Sequence, residues 1–170
     1  MESVTVRPFS DDDLTGAAEA LVEVHETDGY PVEGVDDPEA WIKSEDVLAA
    51  WIAESDGRIV GHVAVMKPQG EAAADLWVKQ SGDDMGHVGV LARLFVVQSA
   101  RKQAAGRQLM EAAVSHARDH GLRLVLDVMV KDASAIRLYE RLGWRKIGET
   151  IHHFGNGETI PAVCYVSPSA

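Results

Sequence analysis

Leu94-Phe95-Val96-Val97-Gln98-Ser99-Ala100-Arg101-Lys102-Gln103-Ala104-Ala105-Gly106 is the stretch whose reading decides the fold. Its first four residues are a β-branched and aromatic run of strand type. Gln98 to Gly106 is polar, small and basic. Beyond it, Leu109, Ala113 and Ala117 recur at helical spacing, with Met110 and Val114 beside them and Gly121 at the expected stop. The spacing predicts a strand, a tight turn, and a helix over about 104–120. A turn that opens a helix leaves backbone N–H groups unpaired at the positive end of the helix dipole. Such a place suits an anion, most often a phosphate. Arg101, Lys102 and Arg107 add positive charge for a polyphosphate.

Downstream, Leu122 to Val130 reads LRLVLDVMV. A nearly continuous apolar run predicts a strand buried on both faces, paired in parallel through the preceding helix. Strand, helix and strand make a right-handed βαβ unit. Asp127 is out of place in that run: it either hydrogen-bonds a neighbouring loop or faces a cleft. Lys131 to Trp144 follows as a second helix, with Asp132 or Ser134 as cap and Gly143 at its end. Ala135, Tyr139 and Leu142 share a face of it. The last strands fall at about 144–149 and 159–166, joined by a Gly155-Asn156-Gly157 turn.

Upstream, Val4 to Arg7 alternates like a strand, and Ser10 to Asp13 supplies a cap and first-turn acids. Leu14, Ala17, Ala18, Leu21, Val22 and His25 predict a helix over about 11–27. Residues 28–37 are a turn-rich acidic loop, and Pro38 opens a short helix through Trp41. Val47–Ala53 and Ile59–Met66 read as a hairpin about Glu54 to Arg58, the return strand interrupted by Gly61. Between 67 and 86, Leu76-Trp77-Val78 reads as a strand extension and residues 80–84 as a loop. His87 to Val97 is the long strand that leads into the opening turn.

A chain of 170 residues suits a single domain over 1–170. With 46% hydrophobic and 25% charged residues it reads as soluble and globular. No apolar run approaches the ~20 residues a membrane span needs. MESVTVRPFSDDD at the N-terminus has neither the basic region nor the apolar core of a signal peptide. The lone Cys164 excludes an internal disulfide and fits a reducing cytoplasm. A net charge of −11 argues against nucleic acid and anionic membrane as partners. Its distribution is uneven: net −14 over residues 1–100 and +3 over 101–170. That division suits a polyanion in one half and a cationic ligand in the other.

Arg101-Lys102-Gln103-Ala104-Ala105-Gly106 resembles the Q/R-x-x-G-x-G/A acetyl-CoA signature of the GNAT N-acetyltransferases. Ala104 stands where the first glycine is usual. If the position needs φ > 0, alanine costs about 1 kcal/mol there. Asp132 to Trp144 resembles the second GNAT motif, N-x-x-A-x-x-L-Y-x-x-x-G-F. Ala135, Leu138, Tyr139 and Gly143 match outright, Trp144 stands for the Phe, and Asp132 for the Asn. The resemblance is strongest over about 94–149. It implies an α/β (α+β) fold: a mixed, mostly antiparallel sheet of about six to seven strands with helices on both faces. One parallel pair, here 87–97 and 122–130, would splay to take acetyl-CoA.

The resemblance also implies roles. Backbone groups of Leu94, Phe95 and Val96 would pair with the pantetheine arm as a strand does. The turn residues Arg101, Lys102, Gln103, Ala104, Ala105, Gly106 and Arg107 would hold the pyrophosphate, with Asp132 at the cofactor-contacting Asn position. Tyr139 would touch the cofactor and protonate the leaving thiolate, because a phenol of pKa near 10 is protonated at pH 7. The amine must lose a proton, and many relatives carry a Glu on the strand before the signature; Val90 occupies that position here. His87, Asp83, Asp84, Glu26 and Asp127 are candidate bases by placement, and His87 is taken first.

His116 and His120 have a metal-compatible spacing with no third ligand in view, so no metal is expected. The reading is a cytoplasmic N-acetyltransferase acting on a primary amine. The acceptor is a small molecule in the first instance, with a peptide N-terminus or lysine as the other choice. A homodimer is left open. A non-catalytic acyl-CoA sensor or an interaction domain on the same fold is the alternative.

Overall fold

A computed structural model describes residues 4–31, 34–154 and 157–168, with backbone alone at 102–103. The chain divides into two compact units, Met1–Met66 with Ala92–Ala113, and Lys67–Leu91 with Val114–Ala170. Among the described residues no helix is long and apolar enough to cross a membrane.

In the first unit, β1 (Thr5–Pro8) pairs antiparallel with β2 (Val47–Ser55), and β2 with β3 (Arg58–Met66). Asp56 and Gly57 close that hairpin with φ of 52° and 73°. Two positive φ values in succession are what the right-handed twist of the flanking strands demands, and Asp-Gly supplies them cheaply. α1 (Leu14–Asp28) follows a single 3₁₀ turn at Asp11–Asp13 and stops at Gly29, whose φ is 71°. Its buried residues are Ala17, Ala18, Ala20, Leu21 and Val24; of those read from sequence, Ala17, Ala18 and Leu21 are buried, while Leu14, Val22 and His25 are half-buried. Asp13, 6% exposed, receives both arms of the Arg7 guanidinium at 2.8 Å. That contact holds the Asp13 carboxyl below its ordinary range. α2 (Pro38–Ile42) starts at Asp37, whose carboxylate accepts from the Ala40 N–H.

β4 (Val88–Val96) runs from the second unit into the first, and α4 (Ala105–Asp119) runs back. Ala105, Leu109, Met110, Ala113 and Ala117 are its buried residues, the last four at the predicted spacing, and Val114 is half-buried.

In the second unit, β4 pairs in parallel with β5 (Arg123–Met129) at Val88–Val90 against Arg123–Val125. β5 pairs antiparallel with β7 (Glu158–Val166), and β7 with β6 (Arg145–Phe154). α5 (Ala133–Arg141) lies between β5 and β6 in sequence and ends before Gly143, φ 88°. The sheet has seven strands in the order β1-β2-β3-β4-β5-β7-β6, mixed, with a parallel pair at β4 and β5.

Three expectations are corrected. Leu76-Trp77-Val78 belongs to a helix, α3 (Ala72–Ser81), and not to a strand. Its buried residues Ala73, Ala74 and Trp77 stand at i, i+1 and i+4, and Gly82 ends it at φ 76°. Packing against β5, β6 and β7 outweighed the strand propensity of the Leu-Trp-Val run. The sixth strand runs to Phe154 rather than stopping at about 149, because the antiparallel register with β7 continues to Phe154–Glu158. Asp132 holds the N-cap position of α5, but its side chain makes no capping bond and instead approaches Lys131 Nζ at 3.7 Å. The turn residues Gly155 and Asn156 lie outside the described residues.

Candidate active site

The opening stretch folds as read. In β4 Leu94 is half-buried, while Phe95 and Val96 are buried. β4 carries a kink: Arg93 has φ 57°, left-handed backbone in the middle of a strand. A non-glycine residue there costs roughly 1–2 kcal/mol and persists only where its surroundings enforce it. A 3₁₀ turn spans Gln98–Gln103, and Ala104 closes it at φ 62°, ψ 24°. α4 begins at the next residue, with the Gln108 N–H donating to the Ala104 carbonyl at 3.1 Å. The N–H groups of Ala105, Gly106 and Arg107 therefore precede the first bond of the helix, which is the arrangement an anion needs.

Arg101 is committed within this unit. Its Nε donates to the Val96 carbonyl at 3.1 Å and its guanidinium pairs with Asp28 at the end of α1. Arg107 is exposed and within 3.5 Å of Glu111. The helix N-terminus, the positive φ at 104 and a solvent-facing arginine together fit a pyrophosphate.

The left-handed Ala104 makes a direct prediction. Ala104→Gly removes the Cβ penalty, roughly 1–2 kcal/mol, and adds unfolded-chain entropy worth about 0.4–1 kcal/mol. The net expectation is a gain of about 0.5–1 kcal/mol, read by chemical denaturation, with Ala104→Val moving the other way.

The second unit carries Tyr139, Asp132, Asp127 and His87. The Tyr139 ring, on α5, is 6% exposed and lies 6.1 Å from the Trp144 ring and 6.2 Å from Tyr165. The two tyrosines differ in what their hydroxyls do. Tyr165 donates to Glu140 Oε2 at 2.8 Å, whereas the Tyr139 hydroxyl makes no hydrogen bond among the described residues. Burial, and then the charge of Asp132, push the Tyr139 phenol well above its ordinary value. The phenol is therefore protonated at neutral pH.

Asp127 meets the first of its sequence readings, a hydrogen bond to a neighbouring element. Its Oδ1 accepts from the Ala73 N–H at 3.1 Å, in the first turn of α3, and from the Cys164 thiol at 3.4 Å. Oδ2 takes no bond among the described residues. The side chain is reached by solvent, while the protein around it is dense enough to desolvate the carboxyl. Desolvation raises its pKa, only partly offset by the two donors. Cys164, buried as expected, has its thiol pushed up to about 12 by burial and by Asp127.

His87 ends a 3₁₀ turn at Met85–His87, its side chain 66% exposed and 3.8 Å from Asp83. Asp84 accepts from the Gly86 N–H at 3.0 Å. Glu26 is exposed on α1. An open groove of about 320 Å³ runs between α3 and β6, lined by Ala72, Asp75, Leu76, Lys79, Glu149 and Thr150. It contains none of the candidate site residues read from sequence. His116 and His120 stack at 4.0 Å, and the His120 Nδ1 bonds the His116 carbonyl.

A mixed sheet with a short parallel pair, and a turn-to-helix anion cradle after its central strand, define an acyltransferase class of fold. Residues 16–144 match the Acetyltransferase (GNAT) family, and the chain belongs to it. It is 31% identical over 142 residues to N-alpha-acetyltransferase 60 of Xenopus tropicalis, 75% of this chain and 53% of that protein. The chain thus spans about half the length of that curated relative. Two solved structures share the fold. One is the ribosomal-protein-alanine N-acetyltransferase from Brucella melitensis, at 17% identity and TM-score 0.74 over 97% of this chain and 99% of that one. The other is Arabidopsis thaliana NAA60 in complex with acetyl-CoA, at 21% identity and TM-score 0.71 over 96% and 97%.

Proposed function

We propose that this chain transfers the acetyl group of acetyl-CoA to a primary amine by direct attack, without a covalent acetyl-enzyme. The observation that carries the reading is the strand, turn and helix start of residues 94–107, lying inside the family match. Backbone groups of Leu94, Phe95 and Val96 bind the pantetheine arm in strand fashion. The N–H groups of the turn and of Ala105–Arg107 hold the pyrophosphate.

Acetyl-CoA supplies a thioester whose carbonyl carbon accepts the amine. A free alkyl amine is mostly protonated at pH 7, so its proton must go to the protein. Asp127 takes it on Oδ2, the oxygen left open while Oδ1 caps α3. A carboxyl with a raised pKa is a better base than an ordinary one, since its conjugate acid lies nearer the working pH. His87 is the second choice, because its exposure leaves its position unfixed. The Tyr139 hydroxyl, protonated throughout the neutral range, gives its proton to the departing sulfur.

The acceptor we assign first is a polypeptide α-amino group. The support is that the relatives are named an N-alpha-acetyltransferase and a ribosomal-protein-alanine N-acetyltransferase. A small-molecule amine, the reading from sequence, is the competing acceptor. The acidic first hundred residues suit either cation. A reducing, cytoplasmic setting accompanies this reading, because Cys164 is a buried free thiol.

The test is thermal unfolding with and without acetyl-CoA. At about 100 times its Kd the ligand adds about 2.7 kcal/mol, a shift of roughly 5–10 °C in a domain of this size. ADP and free phosphate give much less. No shift at millimolar acetyl-CoA removes the reading. A positive result is followed by turnover on short peptides with free N-termini and on a panel of small amines.

A further inference from the structure

We infer that His62 is a positioning residue: its Nδ1–H holds the carbonyl of Arg93 and fixes the kink in β4 that presents Leu94–Val96 to the pantetheine arm. This rests on the cofactor reading above.

The left-handed backbone at Arg93 is unfavourable for a residue with a Cβ, so something must hold it. The Arg93 side chain contributes, donating to Ser44 Oγ at 3.0 Å and lying 5.2 Å over the Trp41 ring. The backbone is held by His62. Its side chain is 0% exposed, and Nδ1 lies 2.8 Å from the Arg93 carbonyl oxygen. A carbonyl can only accept, so Nδ1 carries the proton. Nε2 is then an unprotonated acceptor, buried and without a partner among the described residues. Burial lowers the His62 pKa to about 4, so the ring stays neutral and this tautomer persists at physiological pH.

The ring also grips the far side of Leu94. It stacks on the Phe95 ring at 5.3 Å and 20° and meets Phe9 edge-on at 6.0 Å. Gly61 lets the two backbones approach: a Cβ there would meet the Phe95 carbonyl oxygen at 3.0 Å. His62 thus holds the residue before Leu94 by its carbonyl and the residue after it by its side chain. Packing alone does not account for a histidine. A leucine would fill the space without burying an unmet Nε2, and an unmet buried acceptor is unfavourable. The Nδ1 donor is what the position gains.

The experiment compares His62→Asn, His62→Gln and His62→Leu by acetyl-CoA titration calorimetry, thermal unfolding and steady-state kinetics. Asn places its amide where Nδ1 is, Gln where Nε2 is, and Leu has neither. The expected result is an acetyl-CoA Kd for the Asn variant within about threefold of the parent, and a loss of about tenfold or more for Gln and Leu. The acceptor KM is unchanged throughout. In an Arg93→Gly background, where glycine adopts φ > 0 unaided, the difference between Asn and Gln closes. Equal Kd values for the Asn and Gln variants on the Arg93 background overturn the inference, as does parent-like affinity in the Leu variant. If Leu fails to fold, the Asn and Gln pair decides. Failure of the parent protein itself to bind acetyl-CoA overturns the cofactor reading and this inference with it.

Discussion

Tyr139→Phe is expected to lower kcat for acetyl transfer by about 10²-fold or more, the usual worth of a positioned general acid. The acetyl-CoA Kd should change by less than about twofold, because binding falls to backbone groups elsewhere in the chain. The substitution is clean for a structural reason. The ring is held by Trp144 and Tyr165, and phenylalanine keeps both contacts. The hydroxyl makes no hydrogen bond among the described residues, so its removal strands no buried partner. Stability should therefore stay within about 0.5 kcal/mol. Tyr165→Phe is the control, since its hydroxyl is already engaged with Glu140. Equal turnover for the parent and the Tyr139 variant would remove Tyr139 from the reaction.

Most of the fold was legible because the elements that build it repeat at their own period. Leu109, Ala113 and Ala117 announced α4, and the apolar run from Leu122 announced β5 with its parallel neighbour. Asp56-Gly57 announced a hairpin whose φ values are those of its turn type. What failed was the short amphipathic piece. α3 carries Leu76-Trp77-Val78, whose local preference is for strand, and Ala73, Ala74 and Trp77 declare the helix only once a sheet is there to receive them. Gly148 is part of that reception: a Cβ there would stand 2.7 Å from Leu76 Cδ1. Nothing in residues 67–86 read alone contains that information.

The site divides in the same way. The cradle is a local object, so strand, turn and helix start could be read directly, and the structure adds that Ala104 sits in the glycine region of backbone space. Arg101 illustrates the limit. Its charge is visible in sequence, but its pairing with Asp28, seventy-odd residues away, is a tertiary fact. His62 was passed over because a single histidine in an apolar strand has no periodicity to mark it. Its meaning depends on the positive φ of Arg93, which a sequence does not display. Asp127 stood out as the one acid in its run, yet only the structure separates the oxygen that caps α3 from the oxygen left open.

Asp127→Asn is expected to separate activity from stability. Asparagine keeps an Oδ1 that accepts from Ala73 and Cys164, so α3 keeps its anchor. The folded-state pKa of Asp127 lies above its unfolded value, chiefly through desolvation. Between those two values the folded protein binds more protons than the unfolded chain. Stability from this group therefore falls as pH rises through that window and remains lower above it. Removing the charge should leave the variant at least as stable as the parent at pH 7. The same change takes away the proton acceptor, and kcat should fall by about 10²-fold or more. The pH profile carries the decisive reading. In the parent, kcat/KM rises with pH as Asp127 loses its proton; in the variant that acidic limb should vanish. A limb that persists in the asparagine variant and disappears in His87→Gln would transfer the role to His87. Lower activity together with lower stability would mean that Asp127 serves α3 alone. A stable, inactive variant without the limb would mark Asp127 as a desolvated carboxylate kept for its chemistry at a cost to folding.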